Sequence, residues 1–109
     1  MTGVSWDITV KELAEKQARG EDLVLIDVRE PSEWAIARIP GALLVPLREL
    51  PAYAGALDNS REIVLHCHHG LRSMHALQML RRSGFQRLRN LRGGIDAWSR
   101  EVDPTVPRY

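Results

Sequence analysis

From residue 62 the chain reads Glu62-Ile63-Val64-Leu65-His66-Cys67-His68-His69-Gly70-Leu71-Arg72-Ser73. Residues 62–66 form a short apolar run, the pattern of a strand covered on both faces. From about Arg72 to Arg82 the spacing becomes helical, with Ala76, Leu77 and Leu80 as the core face and Gly84 as the stop. So tight a strand-to-helix loop turns several backbone N–H groups inward, making an anion-binding concavity at the helix N-terminus. Gly70 permits the positive φ that this curvature requires. Cys67 stands at the C-terminal end of the strand, inside the curve. There its thiolate is favoured by the backbone dipoles and by Arg72; comparable settings lower a thiol pKa from about 8.5 to roughly 3.5–7.5. The same cradle suits a persulfide, a sulfonate, a sulfate or a phosphate.

The alternation of short apolar runs and helical spacing continues in both directions. Upstream, Thr9-Val10-Lys11-Glu12 reads as a capping box. Val10, Leu13, Ala14 and Ala18 follow at helical spacing, and Gly20 ends the helix. Leu23 to Asp27 is a second buried-type strand, and Pro31 suits the first turn of a short helix carrying Glu33 and Trp34. Ile39-Pro40-Gly41 is a turn, Ala42 to Val45 a strand stopped by Pro46, and residues 47–57 a loop or irregular helix. Downstream, Phe85 returns to the core, and Arg87-Leu88-Arg89-Asn90-Leu91 alternates like a strand with one covered face. Gly93-Gly94 turns into a last helix with Ile95, Ala97 and Trp98, and residues 101–109, with two prolines, form an extended tail. Strands alternating with helices predict an α/β layer on a mainly parallel sheet. Ligands of such sheets bind beyond the carboxyl ends of the strands, where Cys67 and Asp27 both fall.

With 109 residues the chain is one domain, 1–109, its core running from about residue 8 to 100. It is 44% hydrophobic and 27% charged, which argues against disorder. A net charge of +1 selects neither nucleic acid nor membrane. The N-terminus lacks the basic start and apolar run of a signal peptide, and no apolar run is long enough to span a bilayer. A lone cysteine makes no internal disulfide. The expectation is a soluble cytoplasmic protein, and by default a monomer. Arg72, Arg81, Arg82, Arg87, Arg89 and Arg92 crowd one stretch, either as a solvated face or as a basic rim for an anionic partner. His66, Cys67, His68 and His69 invite a metal reading. One tight loop, however, does not turn four neighbours onto one ion, so no metal is expected. The tryptophans and Met74 and Met79 read as packing.

Cys67-His68-His69-Gly70-Leu71-Arg72 resembles the Cys-x-x-Gly-x-Arg active loop of rhodanese-like domains. Leu25-Ile26-Asp27-Val28-Arg29-Glu30 with Glu33-Trp34 is similar to that family's first signature. Arg38-Ile39-Pro40-Gly41-Ala42 resembles its Pro-Gly-Ala turn, with Arg38 where histidine is usual. Asn90 to Trp98 resembles its closing signature. The tail from Val102 to Tyr109 resembles the ending of rhodanese domains fused to ubiquitin-activating-like adenylyltransferases, which hand sulfur to ubiquitin-like sulfur carriers.

The resemblance implies a five-stranded, mainly parallel sheet with helices on both faces, and a sulfurtransferase needing no cofactor. Cys67 would accept the sulfur as a persulfide. The backbone N–H groups of His68, His69, Gly70, Leu71, Arg72 and Ser73 would cradle it, and Arg72 would bind an anionic donor. Asp27 and Arg29 would support the loop, or serve only as a cap or ion pair. Implied partners are a small anionic donor such as thiosulfate, a cysteine desulfurase and a ubiquitin-like sulfur carrier. The related phosphatases and arsenate reductases carry one more residue in this loop, which makes that activity the minor reading. The alternative from another class is a docking module in which Cys67 is incidental.

Overall fold

The computed structural model describes residues 6–109. Five strands form one sheet: β1 (Asp7–Ile8), β2 (Leu23–Asp27), β3 (Leu43–Leu44), β4 (Glu62–His66) and β5 (Leu88–Leu91). Their spatial order is β1-β5-β4-β2-β3, and every neighbouring pair is parallel. Five helices connect or flank them: α1 (Val10–Ala18), α2 (Pro31–Ile36), α3 (Leu50–Tyr53), α4 (Leu71–Arg82) and α5 (Gly94–Glu101). The fold is therefore the expected α/β class, and the sheet is parallel throughout.

The centre is the β2–β4 pair, in register from Leu23 opposite Glu62 to Asp27 opposite His66. Successive strand residues point to opposite faces. Leu25 and Val64 thus enter one core with Val10, Leu13, Ile95 and Trp98 from α1 and α5. Ile26, Ile63 and Leu65 enter the other with Ala76, Leu77 and Leu80 from α4. Because each apolar run feeds both cores, its hydrophobicity is unbroken. At the start of α1 the Thr9 hydroxyl accepts from the Glu12 N–H at 3.1 Å, and Glu12 Oε1 accepts from the Thr9 N–H at 2.9 Å. That is the capping box read from sequence.

Three details differ from the sequence reading, and a fourth fills it in. β5 lies between β1 and β4 and is covered on both faces, so Asn90 shares the inward side with Leu88 and is buried. β1, only two residues long, carries no pattern that periodicity detects; it forms because Asp7 and Ile8 pair with Asn90 and Leu91. Residues 47–57 form the irregular helix expected there, α3 between two 3-10 turns, Leu47–Glu49 and Ala54–Ala56, with Pro51 in the first turn of α3. The tail is not simply extended: Glu101 ends α5, and the Val106 N–H bonds back to the Asp103 carbonyl at 3.1 Å. This turn buries Val106 against the α1–α5 core.

Among the described residues, no helix is long and apolar enough to cross a membrane.

Candidate active site

A parallel sheet brings the C-terminal ends of β2, β4 and β5 to one edge, and the site lies there. Cys67 follows β4 directly and is 1% exposed. The loop then curls into α4 through Gly70, whose φ of +120° suits glycine alone. The Gly70 N–H donates to Cys67 Sγ at 3.1 Å, and the Ser73 Oγ lies 3.4 Å from the same sulfur. Burial pushes the thiol pKa up. The N–H groups of Ser73, Gly70 and Arg72, with the Ser73 hydroxyl when its proton turns to the sulfur, outweigh it, and the result lies below the ordinary thiol value. The sulfur thus sits in a ring of N–H donors at the N-terminus of a twelve-residue helix.

The loop's outward carbonyls are closed off by α5. The Ile95 N–H donates to the Cys67 carbonyl at 3.0 Å, and the Asp96 N–H to the His68 carbonyl at 3.1 Å. So close an approach leaves no room for a side chain at Gly94. A Cβ there stands 2.5 Å from both carbonyl oxygens, and its φ is +58°.

Arg72 does not face an open cavity. Its guanidinium makes a two-pronged pair with Glu33 at 2.7 and 2.9 Å. Arg72, more than any other neighbour, holds the Glu33 carboxyl down at about 2, and Glu33 in turn raises the Arg72 pKa. Tyr109 completes this rim. Its hydroxyl donates to Glu33 Oε2 at 2.7 Å and accepts from Arg29 Nη1 at 2.8 Å. Its ring stacks on His68 with centroids 4.0 Å apart and planes 8° from parallel. Burial, with Glu33 beside it, pushes the phenol up to about 12.

Asp27 and Arg29 are wholly buried and paired, Nη2 to Oδ2 at 2.7 Å. Arg29 also donates to the Ala37 carbonyl at 2.6 Å, tying β2 to the end of α2. Asp27 lies opposite His66 across the β2–β4 pair, and Arg29 reaches the loop's surroundings through Tyr109. Burial holds His66 below its usual pKa against the pull of Asp27, and its Nδ1 lies 3.3 Å from the Cys67 carbonyl.

Of the other predicted positions, Ser73 is buried beside the sulfur, Leu71 is 73% exposed beside the loop and His69 is exposed. The arginine-rich stretch disperses. Arg81 lies over the Trp6 ring, Arg87 bonds the Ser60 carbonyl, and Arg89 and Arg92 reach Asp7. Ligand atoms of His68, His69 and Asp96 lie within 4.8 Å of one another. Both Asp96 oxygens, however, accept from Arg100 or Arg108, and two guanidiniums on the carboxylate oppose a cation there. The sequence reading did not assign roles to Glu33, Asn90, Gly94 and Tyr109. Asn90 did carry a signal: a polar residue at the same strand parity as the core residue Leu88.

A strand-end cysteine held by backbone N–H donors, at the carboxyl edge of a parallel sheet, defines a class: α/β domains that present a cysteine thiol in an anion-binding loop. Residues 9–101 match the rhodanese-like domain, and the chain belongs to that family. It is 38% identical to a sulfurtransferase of Allochromatium vinosum, over 92% of this chain and 94% of that protein. It is 39% identical to the probable adenylyltransferase/sulfurtransferase MoeZ of Mycobacterium tuberculosis, covering 94% of this chain but 26% of that one. The crystal structure of a rhodanese-like domain protein from Staphylococcus aureus superposes with a TM-score of 0.81 at 27% identity, covering 94% of this chain and 97% of that one. These likenesses support a rhodanese-type sulfur-transfer role.

Proposed function

We propose that the chain carries sulfane sulfur as a persulfide on Cys67, from thiosulfate or a protein persulfide to a thiophilic acceptor. The observation that carries this reading is the sulfur cradle itself. A buried thiol whose pKa lies below normal receives an N–H at 3.1 Å and sits at the N-terminus of α4. In loading, the Cys67 thiolate attacks the outer sulfur of thiosulfate. An Sγ–S bond forms, the S–S bond of the donor breaks, and sulfite leaves with its electron pair. In discharge, an acceptor lone pair bonds to the outer sulfur and the Sγ–S electron pair returns to Cys67. Arg72 meets an anionic donor only by sharing or exchanging its bond to Glu33. The likeness to adenylyltransferase-linked sulfurtransferases such as MoeZ supports a sulfur-carrier protein as acceptor, and a cysteine desulfurase is the protein donor we propose.

The test is an intact-mass spectrum of the reduced protein after brief exposure to thiosulfate, repeated on Cys67→Ser. The expected result is a gain of one sulfur atom, reversed by cyanide or dithiothreitol and absent in the variant. No adduct from thiosulfate or from a cysteine desulfurase overturns the reading in favour of a docking module.

A further inference from the structure

Asn90 lies outside the sulfur cradle yet touches two of its parts. The Ser73 oxygen sits 3.4 Å from Cys67 Sγ and 2.6 Å from Asn90 Oδ1. A hydroxyl has a single proton to give. The Asn90 amide is fixed from its other end, because Nδ2 donates to the Gly70 carbonyl at 3.4 Å. Turned over, it would set oxygen against oxygen there. The carboxamide oxygen therefore faces Ser73 and has the nearer claim on the hydroxyl proton. This arrangement satisfies a neutral thiol, whose S–H donates to Ser73 Oγ. A sulfur that is ionised, or that carries a second sulfur, has no proton to offer. Ser73 then stabilises it only by turning its proton away from Asn90, leaving a buried amide oxygen without a donor.

We propose that Asn90 is a positioning residue for sulfur transfer: it holds the Ser73 proton away from Cys67 and so slows discharge of the persulfide relative to its loading. The inference rests on the sulfur-carrier reading above and deepens it. In discharge the leaving group is the Cys67 thiolate, which departs faster as its pKa falls; in loading the same thiolate, once fully ionised, attacks more slowly as its pKa falls. Freeing the Ser73 proton therefore moves the two half-reactions in opposite directions. The other titratable or charged groups around Cys67 are His66 on β4, His68 and His69 on the loop, Arg72 of α4 with its partner Glu33 of α2, and Tyr109 of the tail. Asp96 of α5 stands behind His68. All of them stay in place in the test.

The experiment measures the thiol pKa from thiolate absorbance, with single-turnover loading by thiosulfate and discharge by cyanide. The proteins are wild type, Asn90→Leu, Ser73→Ala and the double variant. Asn90→Leu is expected to lower the thiol pKa by roughly one unit, to speed discharge several-fold, and to slow loading above that pKa. Ser73→Ala is expected to raise the pKa by less than Asn90→Leu lowers it, and to cancel the effect of Asn90→Leu in the double variant. A raised pKa in Asn90→Leu, or a drop that persists without Ser73, overturns the proposal. If Asn90→Leu does not fold, Ser73→Ala decides alone: a rise of a full unit or more means that the proton already faces the sulfur. Failure of the wild type to form a persulfide refutes the sulfur-carrier reading instead, and the pKa comparison still judges the hold of Asn90 on Ser73.

Discussion

At the scale of single residues, the Glu33–Arg72 pair sets how the mouth of the site meets a charged donor. The arginine nearest the sulfur arrives already neutralised by a carboxylate at 2.7 Å. Glu33→Gln frees that charge, and the expected outcome is a several-fold lower KM for thiosulfate with kcat little changed, read in steady-state cyanide assays. Gly94 is the other pressure point. Gly94→Ala drives a Cβ into two carbonyl oxygens at a positive φ, so a loss of about 2–4 kcal/mol is expected in denaturant titrations. Cys67, Gly70 and Arg72 were legible in the sequence because the loop's chemistry is contiguous there. Glu33, Asn90 and Tyr109 reach the site from α2, β5 and the tail, and only folding shows which of them arrive.

Among the elements, the tail has the most unexpected role. A turn at Asp103 brings it back over the domain, Val106 anchors it, and Arg108 bonds Asp96 at 3.0 Å. Tyr109 then spans from Arg29 to Glu33 above His68. Tyr109→Phe keeps the ring stack but leaves the Arg29 Nη1 and Glu33 Oε2 each one partner short. The expected cost is about 1–2 kcal/mol, seen as a lower Tm. The prolines of the tail announced irregular backbone, but nothing local announces a side-chain contact some eighty residues away in the chain. β2 and β4 were legible for the opposite reason, since burial in two cores writes itself into every residue, and α4 because its one buried face recurs at helical spacing. β5 misled because Arg89 and Asn90 interrupt its hydrophobicity, although its sheet neighbours cover both faces.

At the scale of the whole molecule, a charged network links again, at the sheet's carboxyl edge, parts that the two hydrophobic cores already hold together. Asp27, Arg29, Glu33, Arg72 and Tyr109 join β2, α2, α4 and the tail in one network. Breaking its buried member by Asp27→Ala is expected to cost about 3–5 kcal/mol, because Arg29 is left charged and enclosed. The network also sets the acid limit. The folded Glu33 pKa of about 2 lies below the unfolded 4.5, so its contribution is complete above pH 4.5 and is lost as pH falls from there towards 2. Denaturation at a series of pH values should show the wild type losing on the order of 2 kcal/mol more than Glu33→Gln across that window. The parallel direction of the sheet followed from the strand–helix alternation, whereas its strand order emerged only with the structure. The network did not follow either, because pairing partners far apart in sequence leave no periodic trace.

The clasp of α5 on the Cys67 loop has a consequence for the order in which the protein is made. Translation delivers the nucleophile nearly thirty residues before Ile95 and Asp96, whose N–H groups close its loop. A nascent chain that has emerged only as far as β5 therefore leaves the Cys67 and His68 carbonyls without the N–H partners that α5 brings. The loop that holds the nucleophile is thus closed on its carbonyl side only when the last helix is in place.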